Sequence, residues 1–479
     1  MTLTHILIFA AAAFLYRLLP KAWRAWALLI GSLAAIYLLQ PALPLPPMDY
    51  ALPTLTLILA LIGWWLTRPP EAERLTQEDY AALGATFGVA LGIALIGNLN
   101  TSPRLTPSPT PPFAEALIAF IGIGAVLTAA QPLFASAEAR KAAIPVFLAF
   151  LIGLFIVLKS APLTDGLAAW LRAHADRPLI VAGALDVGWL GFSYVAFRLI
   201  HTLRDRQSGK LPALSLREYL TYLIFFPAYT AGPIDRAERF VKDYRALLPL
   251  DARRATEGLG RIGAGILKKF VVADTLALIA LDPLSASRAE TALGLWLLVY
   301  AYAFRLYLDF SGYSDIAIGI GKLYGIDLPE NFALPYLKSN LTAFWQSWHI
   351  TLSNWARFYV FMPLSRYMVT RKRKPPTWLA VLIGQLGTML TIGLWHGIAL
   401  NFVIWAVWHG VGLWLHKQYS DRTRDFYANL GDKPTLRRAV YIVGVLITFH
   451  YVAIGWVWFA LSDAGQGISV VGRLFGVGW

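Results

Sequence analysis

Apolar positions along this chain gather into runs separated by short polar, basic or prolyl breaks. Runs at 3–16, 25–40, 51–67, 80–99, 114–134, 143–160 and 179–200 come first, and runs at 259–281, 291–310, 378–396, 401–416 and 439–461 follow. Most approach the roughly 20 apolar residues that a helix needs to cross a bilayer. The pattern predicts an all-α, polytopic integral membrane protein with about twelve transmembrane helices. The run at 3–16 is short, so it is expected to tilt or to lie partly in the interface. It has no basic leader and no convincing small-residue cleavage site, and reads as a retained helix.

Two stretches break the pattern. Residues 217–258 open with an apolar half too short to cross, turn at Gly232-Pro233, and continue basic through Arg236, Arg239, Lys242 and Arg245. A re-entrant or in-plane hairpin is expected there, because irregular backbone at membrane depth must be covered by protein or line a cavity. Residues 326–375 mix polar and aromatic positions with apolar ones, as in FWQSWHITLSNWARFYV, and end in the RKRK cluster at 371–374. That cluster reads as a cytoplasmic anchor for anionic headgroups. The stretches EAERLTQEDY (71–80) and TSPRLTPSPTPP (101–112) read as loops.

Charge orients the helices. Arg17, Lys21 and Arg24 fall in the first loop, Arg68 and Arg74 in the third, Arg140 and Lys141 in the fifth. Arg204, Arg206, Lys210 and Arg217 follow the seventh run, whereas the loops at 41–50 and 101–113 hold only Arg104. Lys159, Arg172 and Arg177 run against the trend. The positive-inside rule places the odd loops in the cytoplasm, both chain ends outside, and the turn at 397–401 on the outer side. Composition agrees: the chain is 57% hydrophobic and 15% charged, against about 25% charged in soluble proteins. The net charge of +14 sits in the loops, and no basic stripe interleaves with aromatics in a polar segment, so nucleic acid is excluded as a partner. There is no cysteine, which removes disulfides, thiolate metal sites and a cysteine nucleophile.

The stretch from Asp309 to Gly410 carries the candidate chemistry: DFSGYSDIAIGI, FWQSWHITLSNWARFYVFMPL and GLWHGIALNFVIWAVWHG. It holds His349, His396 and His409, and an ionisable group in so apolar a setting is a functional hypothesis by default. His396 closes a helix at an outward turn between Gly393 and Gly397, and His409 lies on the returning helix. Glycine-mediated packing with histidines bonded across two helices would explain a single such residue; it explains three less well. A metal site is disfavoured, since no spacing puts two of the histidines on one helix face. A general base fits better, because burial keeps imidazole neutral and proton-accepting. Ser353, one helical turn beyond His349, admits an acyl-serine relay. Asp309 and Asp315 flank the loop-like FSGYS; they either cap a helix start, with Ser314 or Asp315 at the cap, or line a polar passage. Asp235 and Arg236 are open between a local cap and a cytoplasmic gate.

DFSGYSDIAIGIGKLYGIDLPENFALPYL, followed by FWQSWHITLSNW and LWHG, resembles the membrane-bound O-acyltransferase superfamily. It is most similar to the bacterial branch with the membrane subunits of alginate O-acetyltransferase and teichoic-acid D-alanyltransferase. WLGFSYVAFRLIHTL (189–203), FFPAYTAGPIDR (225–236) and GWVWFALS (455–462) extend the likeness over roughly 185–462. The resemblance implies a helical ring, thin at its centre, in which a cytoplasmic donor tunnel meets an outer funnel. It implies that His396 is the catalytic histidine, with His349 as the second and His409, Trp348, Trp395 and Asn401 in support. It further implies division into N-terminal helices (1–178), a catalytic core (179–465) and a tail (466–479). The expected function is transfer of an acyl group, foremost acetyl, from a cytoplasmic thioester to a cell-envelope polysaccharide or an envelope-side relay protein, in a bacterial cytoplasmic membrane. No tightly bound cofactor is implied; the donor is acetyl-coenzyme A or a carrier-protein thioester. The GPIDR string keeps D-alanyl transfer as an alternative, and from another class a transporter or flippase, which would need an inverted repeat that is not seen. Relatives often carry basic residues just before the WH pair, where this chain has Gln346 and Ser347; Lys338, Arg357 or the RKRK cluster would have to substitute.

Overall fold

A computed structural model describes residues 1–69, 74–99, 106–130, 132, 136–430 and 433–478. The expected loops at 71–80 and 101–112, with Arg104, lie partly outside the described residues. Those residues form helices and turns with no β-strand among them. Eight helices among them are long and apolar enough to cross a membrane, rather than about twelve. The shortfall has physical causes. The run at 179–200 starts in two 3₁₀ turns and becomes helical only from Phe192, and the run at 259–281 is broken by a π turn.

The chain divides into two compact units, residues 1–262 with 316–328, and residues 263–315 with 329–479. The first unit holds α1 (Leu3–Leu18), α2 (Lys21–Leu39), α3 (Met48–Thr67), α4 (Gln77–Asn98), α5 (Phe113–Ala130), α6 (Ala137–Lys159), α7 (Ala161–His174), α8 (Phe192–Gln207), α9 (Leu216–Ile224) and α10 (Ala237–Ala246), and most of α11 (Ala252–Ile266). Helix α3 packs on α8 and α9, and α2 on α4 and α9. At nine residues α9 reaches only about 14 Å, too short to cross, as its sequence predicts. Its start is fixed by a capping box, Ser215 with Glu218. Near its end the buried Arg198 guanidinium donates to the carbonyls of Leu223 (2.7 Å) and Ala228 (2.9 Å), which have no helical partner. Asp235 accepts from the Arg236 amide (2.7 Å) and pairs with Arg239, so it organises the start of α10.

The second unit holds the π turn at Leu267–Ala273, α12 (Asp274–Ala277), α13 (Pro283–Arg288), most of α14 (Ala292–Tyr324), α15 (Leu341–Trp345), α16 (Ile350–Ala356), α17 (Met362–Thr370), α18 (Thr377–His396), α19 (Leu400–Arg422), α20 (Arg424–Ala428), α21 (Pro434–Ala460) and α22 (Ala464–Leu474). Its packing centres on α18 against α19 and α19 against α21. A Cβ on Gly393 would lie 2.7 Å from the Phe402 carbonyl oxygen, and one on Gly410 would lie 2.9 Å from Leu386, so glycines set how closely α18 and α19 approach. Helix α14 corrects the reading of DFSGYSD as a capped turn: it runs unbroken for 33 residues through that string. A Cβ on Gly312 would come within 2.8 Å of the Gly265 carbonyl oxygen; this glycine serves helix contact, not a turn. Asp309 and Asp315 accordingly sit inside the helix, paired with Lys269 and with Lys268 (2.6 Å) of the π turn.

Candidate functional site

His349 stands between the short helices α15 and α16 with φ 42° and ψ 54°, a left-handed conformation that costs a side-chain-bearing residue about 1–2 kcal/mol. Asn331, from the PENF string, holds it there. The Asn331 carbonyl accepts from the Ile350 amide (2.9 Å), and the next connection, Ala333 amide to Ser347 carbonyl, is 3.0 Å. Its side-chain amide is oriented unambiguously. Oδ1 accepts from the Thr351 amide (3.3 Å) and hydroxyl (2.6 Å), and Nδ2 donates to Ser314 (3.2 Å). Oδ1 also lies 3.3 Å from His349 Nδ1. Since Oδ1 carries no proton, Nδ1 is the donor, and the neutral ring keeps its lone pair on Nε2. Nε2 is buried without a hydrogen-bond partner among the described residues. Burial alone pushes the imidazole down to about 3, which preserves the neutral form. Asn331 is the residue that reasoning from sequence missed; its signal was the PENF string itself.

Aromatic rings connect the three histidines. The His349 ring meets Phe310 edge-on at 4.6 Å and Trp395 at 6.3 Å, and Trp395 meets His396 at 4.4 Å. His396, half-buried at the end of α18, also contacts Phe459 (4.6 Å) and Trp405 (5.9 Å), and Trp405 lies 5.0 Å from His409. Trp348 stacks in the same shell, 4.9 Å from Trp456. His409 is fully buried, both ring nitrogens without a partner among the described residues, and a Cβ on Gly455 would sit 2.6 Å from its Nε2. Asn401 donates to the Trp458 carbonyl (3.0 Å) while its Oδ1 is unsatisfied, as are the indole N–H groups of Trp345, Trp405 and Trp458. An unsatisfied buried polar atom costs about 1–3 kcal/mol, so unpartnered groups on His409 and on the neighbouring rings of Trp345 and Trp405 mark a region that calls for an explanation beyond packing.

The other expected residues fall elsewhere. The Ser353 hydroxyl donates to the Trp348 carbonyl (3.1 Å), not to an imidazole, which leaves the serine relay without geometric support. Asp309 and Asp315 are engaged by lysines. Among the described residues the grouping with metal-like geometry is His201, Asp205 and Glu238 in the first unit. Arg236 already pairs with both carboxylates there (2.9 and 2.8 Å), and the Ala237 amide donates to His201 Nε2 (3.1 Å). A separate cavity of about 1110 Å³ opens within the second unit, walled by Asn340, Leu341, His416, Tyr419, Arg437 and Tyr451. Tyr451 connects it to the histidine chain, with its hydroxyl on the Trp408 carbonyl and its ring 6.1 Å from His409.

Lipid-length helices around a buried, neutral, proton-accepting imidazole define a multi-pass membrane protein with a histidine-centred polar site. Residues 166–458 match MBOAT, the membrane-bound O-acyltransferase family, and the chain belongs to that family. It is 34% identical over 317 residues to a probable alginate O-acetylase of Pseudomonas syringae, covering 65% of this chain and 55% of that protein. It is 32% identical to a teichoic acid D-alanyltransferase of Streptococcus thermophilus (57% of this chain, 68% of the relative). A peptidoglycan O-acetyltransferase of Helicobacter pylori is also 32% identical (57% and 52%). The chain thus spans about half the length of the alginate and peptidoglycan relatives.

Proposed function

We propose that this protein is an O-acyltransferase of a bacterial cytoplasmic membrane that carries an acyl group, foremost acetyl, from a cytoplasmic thioester towards an envelope polysaccharide or an envelope-side relay protein. The observation that carries the reading is the chain of three histidines within the family-matched region, with a lone pair held bare on His349 Nε2. His396, at the α18–α19 turn that charge assigns to the outer side, is the general base. It takes the proton of the acceptor hydroxyl as that oxygen attacks the thioester carbonyl carbon. The tetrahedral intermediate then collapses, the carbon–sulfur bond breaks, and the thiolate leaves with that proton. Polarising the carbonyl would need a donor, and the Nδ1 proton of His349 is spent on Asn331; its Nε2 is therefore assigned to accepting a hydrogen bond that positions the substrate. The donor enters through the cavity at Tyr419 and Arg437, beside the basic loop 417–438 that charge places in the cytoplasm. Arg437 supplies the positive charge missing before Trp348.

The test is turnover of labelled acetyl-coenzyme A by purified protein in detergent. Wild type is expected to release or transfer label, and His396→Ala to lose at least about 100-fold, the scale of general base catalysis. Intact turnover in His396→Ala would remove that assignment. D-alanyl transfer from a carrier protein is the second reading, favoured by the 68% coverage of the teichoic acid relative. It predicts no turnover of the coenzyme A thioester and turnover of a carrier-bound D-alanyl thioester.

A further inference from the structure

In the first unit a single residue, Ser160, separates the end of the membrane-length helix α6 from the start of α7. Helix α7 therefore starts at the membrane surface, on the side that charge assigns to the outside. Its first turn is tied to the last turn of α6, where the Thr164 hydroxyl donates to the Val157 carbonyl (2.6 Å). At 14 residues it reaches only about 21 Å, too short to cross. Thr164, Ala168 and Arg172, one turn apart, are buried on the face that packs against the 3₁₀ turn Ala184–Val187. Leu163 and Trp170 lie on the opposite face and are 47% and 57% exposed. Asp165, also exposed, stands about 140° round the helix from Trp170.

The chain beyond α7 is more apolar still. Leu179, Ile180 and Val181 form a 3₁₀ turn in which they are 55%, 95% and 62% exposed, and Leu185 is 77% exposed. This tip is held out rigidly. The buried Arg172 guanidinium makes a two-pronged pair with Asp186 (2.6 and 2.7 Å) and donates to the Pro178 carbonyl (3.1 Å), and Asp186 accepts from the Gly183 amide (3.2 Å). The tip is thus bracketed at both ends by one ion pair. That pair also accounts for a basic residue that runs against the charge trend, since Arg172 is neutralised within the protein. Lys159, another exception, ends α6 half-buried, and no carboxylate among the described residues pairs with it. A lysine at the end of a span carries its ammonium to headgroup level.

We propose that α7 and the 179–185 tip form an outer-leaflet anchor, with α7 in the plane of the membrane at headgroup level and the tip inserted among the upper acyl chains. Three observations select lipid over a protein partner. The apolar surface begins on α6, where Ile152 and Ile156 are exposed near the same end. It carries a tryptophan, which favours the membrane–water interface. Lys159 sits beside it with its charge uncommitted, matching lipid phosphates.

The chain has no cysteine, so a single introduced cysteine is its one labelling site. The test places a nitroxide at Ile180→Cys or Asp165→Cys in the full chain in phosphatidylcholine bilayers. Depth is read from collisions with oxygen and with a water-soluble nickel chelate. Ile180 is 95% exposed, so its replacement disturbs little of the fold. The Ile180 label is expected about 5–10 Å below the phosphates, the depth to which interfacial helices bury their apolar face, and the Asp165 label at or above them. A Val181→Cys label gives a second reading, and adding Ile180→Glu should move it towards water, because a carboxylate is costly among acyl chains. An Ile180 label as accessible to nickel as the Asp165 label would overturn the proposal in favour of a docking surface for an envelope-side protein. An Asp165 label as deep as the Ile180 label, or a Val181 label unmoved by Ile180→Glu, would overturn it as well.

Discussion

The α18–α19 hairpin and the α5–α6 pair both read as pairs of apolar runs in the sequence, yet they differ in hydropathy and in how they pack. Helices α5 and α6 have mean hydropathies of 2.0 and 2.5, yet only 11% and 17% of their spans are buried. They are greasy because they face lipid. Helix α18 is less hydrophobic, at 1.6, and meets α19 through Gly393 and Gly410 at a separation no larger residue would allow. Helix α19 carries His409, which is buried against Trp345 of α15 and Gly455 of α21, a polar group that a lipid-facing helix could not hold. The two most hydrophobic candidate spans are thus the two least buried, while His396 ends a less hydrophobic helix that glycines bring against its neighbour.

Four experiments sharpen or break that contrast. The largest effect is expected at the hairpin turn: His396→Ala should reduce turnover at least about 100-fold with an unchanged unfolding midpoint, whereas Ile121→Ala on α5 should leave turnover intact. A parallel loss of stability in His396→Ala would make the histidine structural. Asn331→Ala, which releases the His349 tautomer, should cost roughly 10–100-fold by analogy with other residues that orient a functional histidine. Asn331→Asp, which keeps an accepting oxygen, should recover most of it; failure to recover would assign Asn331 to folding alone. Next, Gly410→Leu should destabilise by about 1–3 kcal/mol through overpacking, against no loss for Gly124→Leu on α5, where a Cβ would meet no atom within 4 Å, measured as chemical unfolding in one detergent. Equal losses would erase the contrast. The smallest effect is in pH. Burial holds His349 at about 3, below the ordinary 6.5, so its contribution to stability is complete above 6.5 and is lost as pH falls towards 3. His349→Asn should therefore flatten the decline of the unfolding midpoint between about pH 6 and pH 4; identical slopes would argue against a buried neutral ring.

Much of this was legible in the sequence. Runs of about 20 apolar residues announce helices because a bilayer imposes their length. The histidines stood out because imidazole is expensive in such company. What stayed hidden is contact between distant residues. Gly312 reads as a turn because glycine serves turns and close approaches alike, and only the approach of Gly265 decides between them. Asn331 was visible as a motif letter, but its bond to His349, 18 positions away, exists only in the folded chain. Ser353 shows the converse error: spacing by one helical turn placed it near His349 on paper, while its hydroxyl turns back to Trp348.

The lysine pair of the π turn has a mechanical consequence. Lys268 and Lys269 are adjacent, yet their partners on α14, Asp315 and Asp309, are six residues apart. On a straight helix that is about 9 Å along the axis and about 120° around it. The two ammonium groups therefore grip α14 from different sides at different heights, as a clasp grips a rod. Sliding the helix would strain both grips together, and so would turning it.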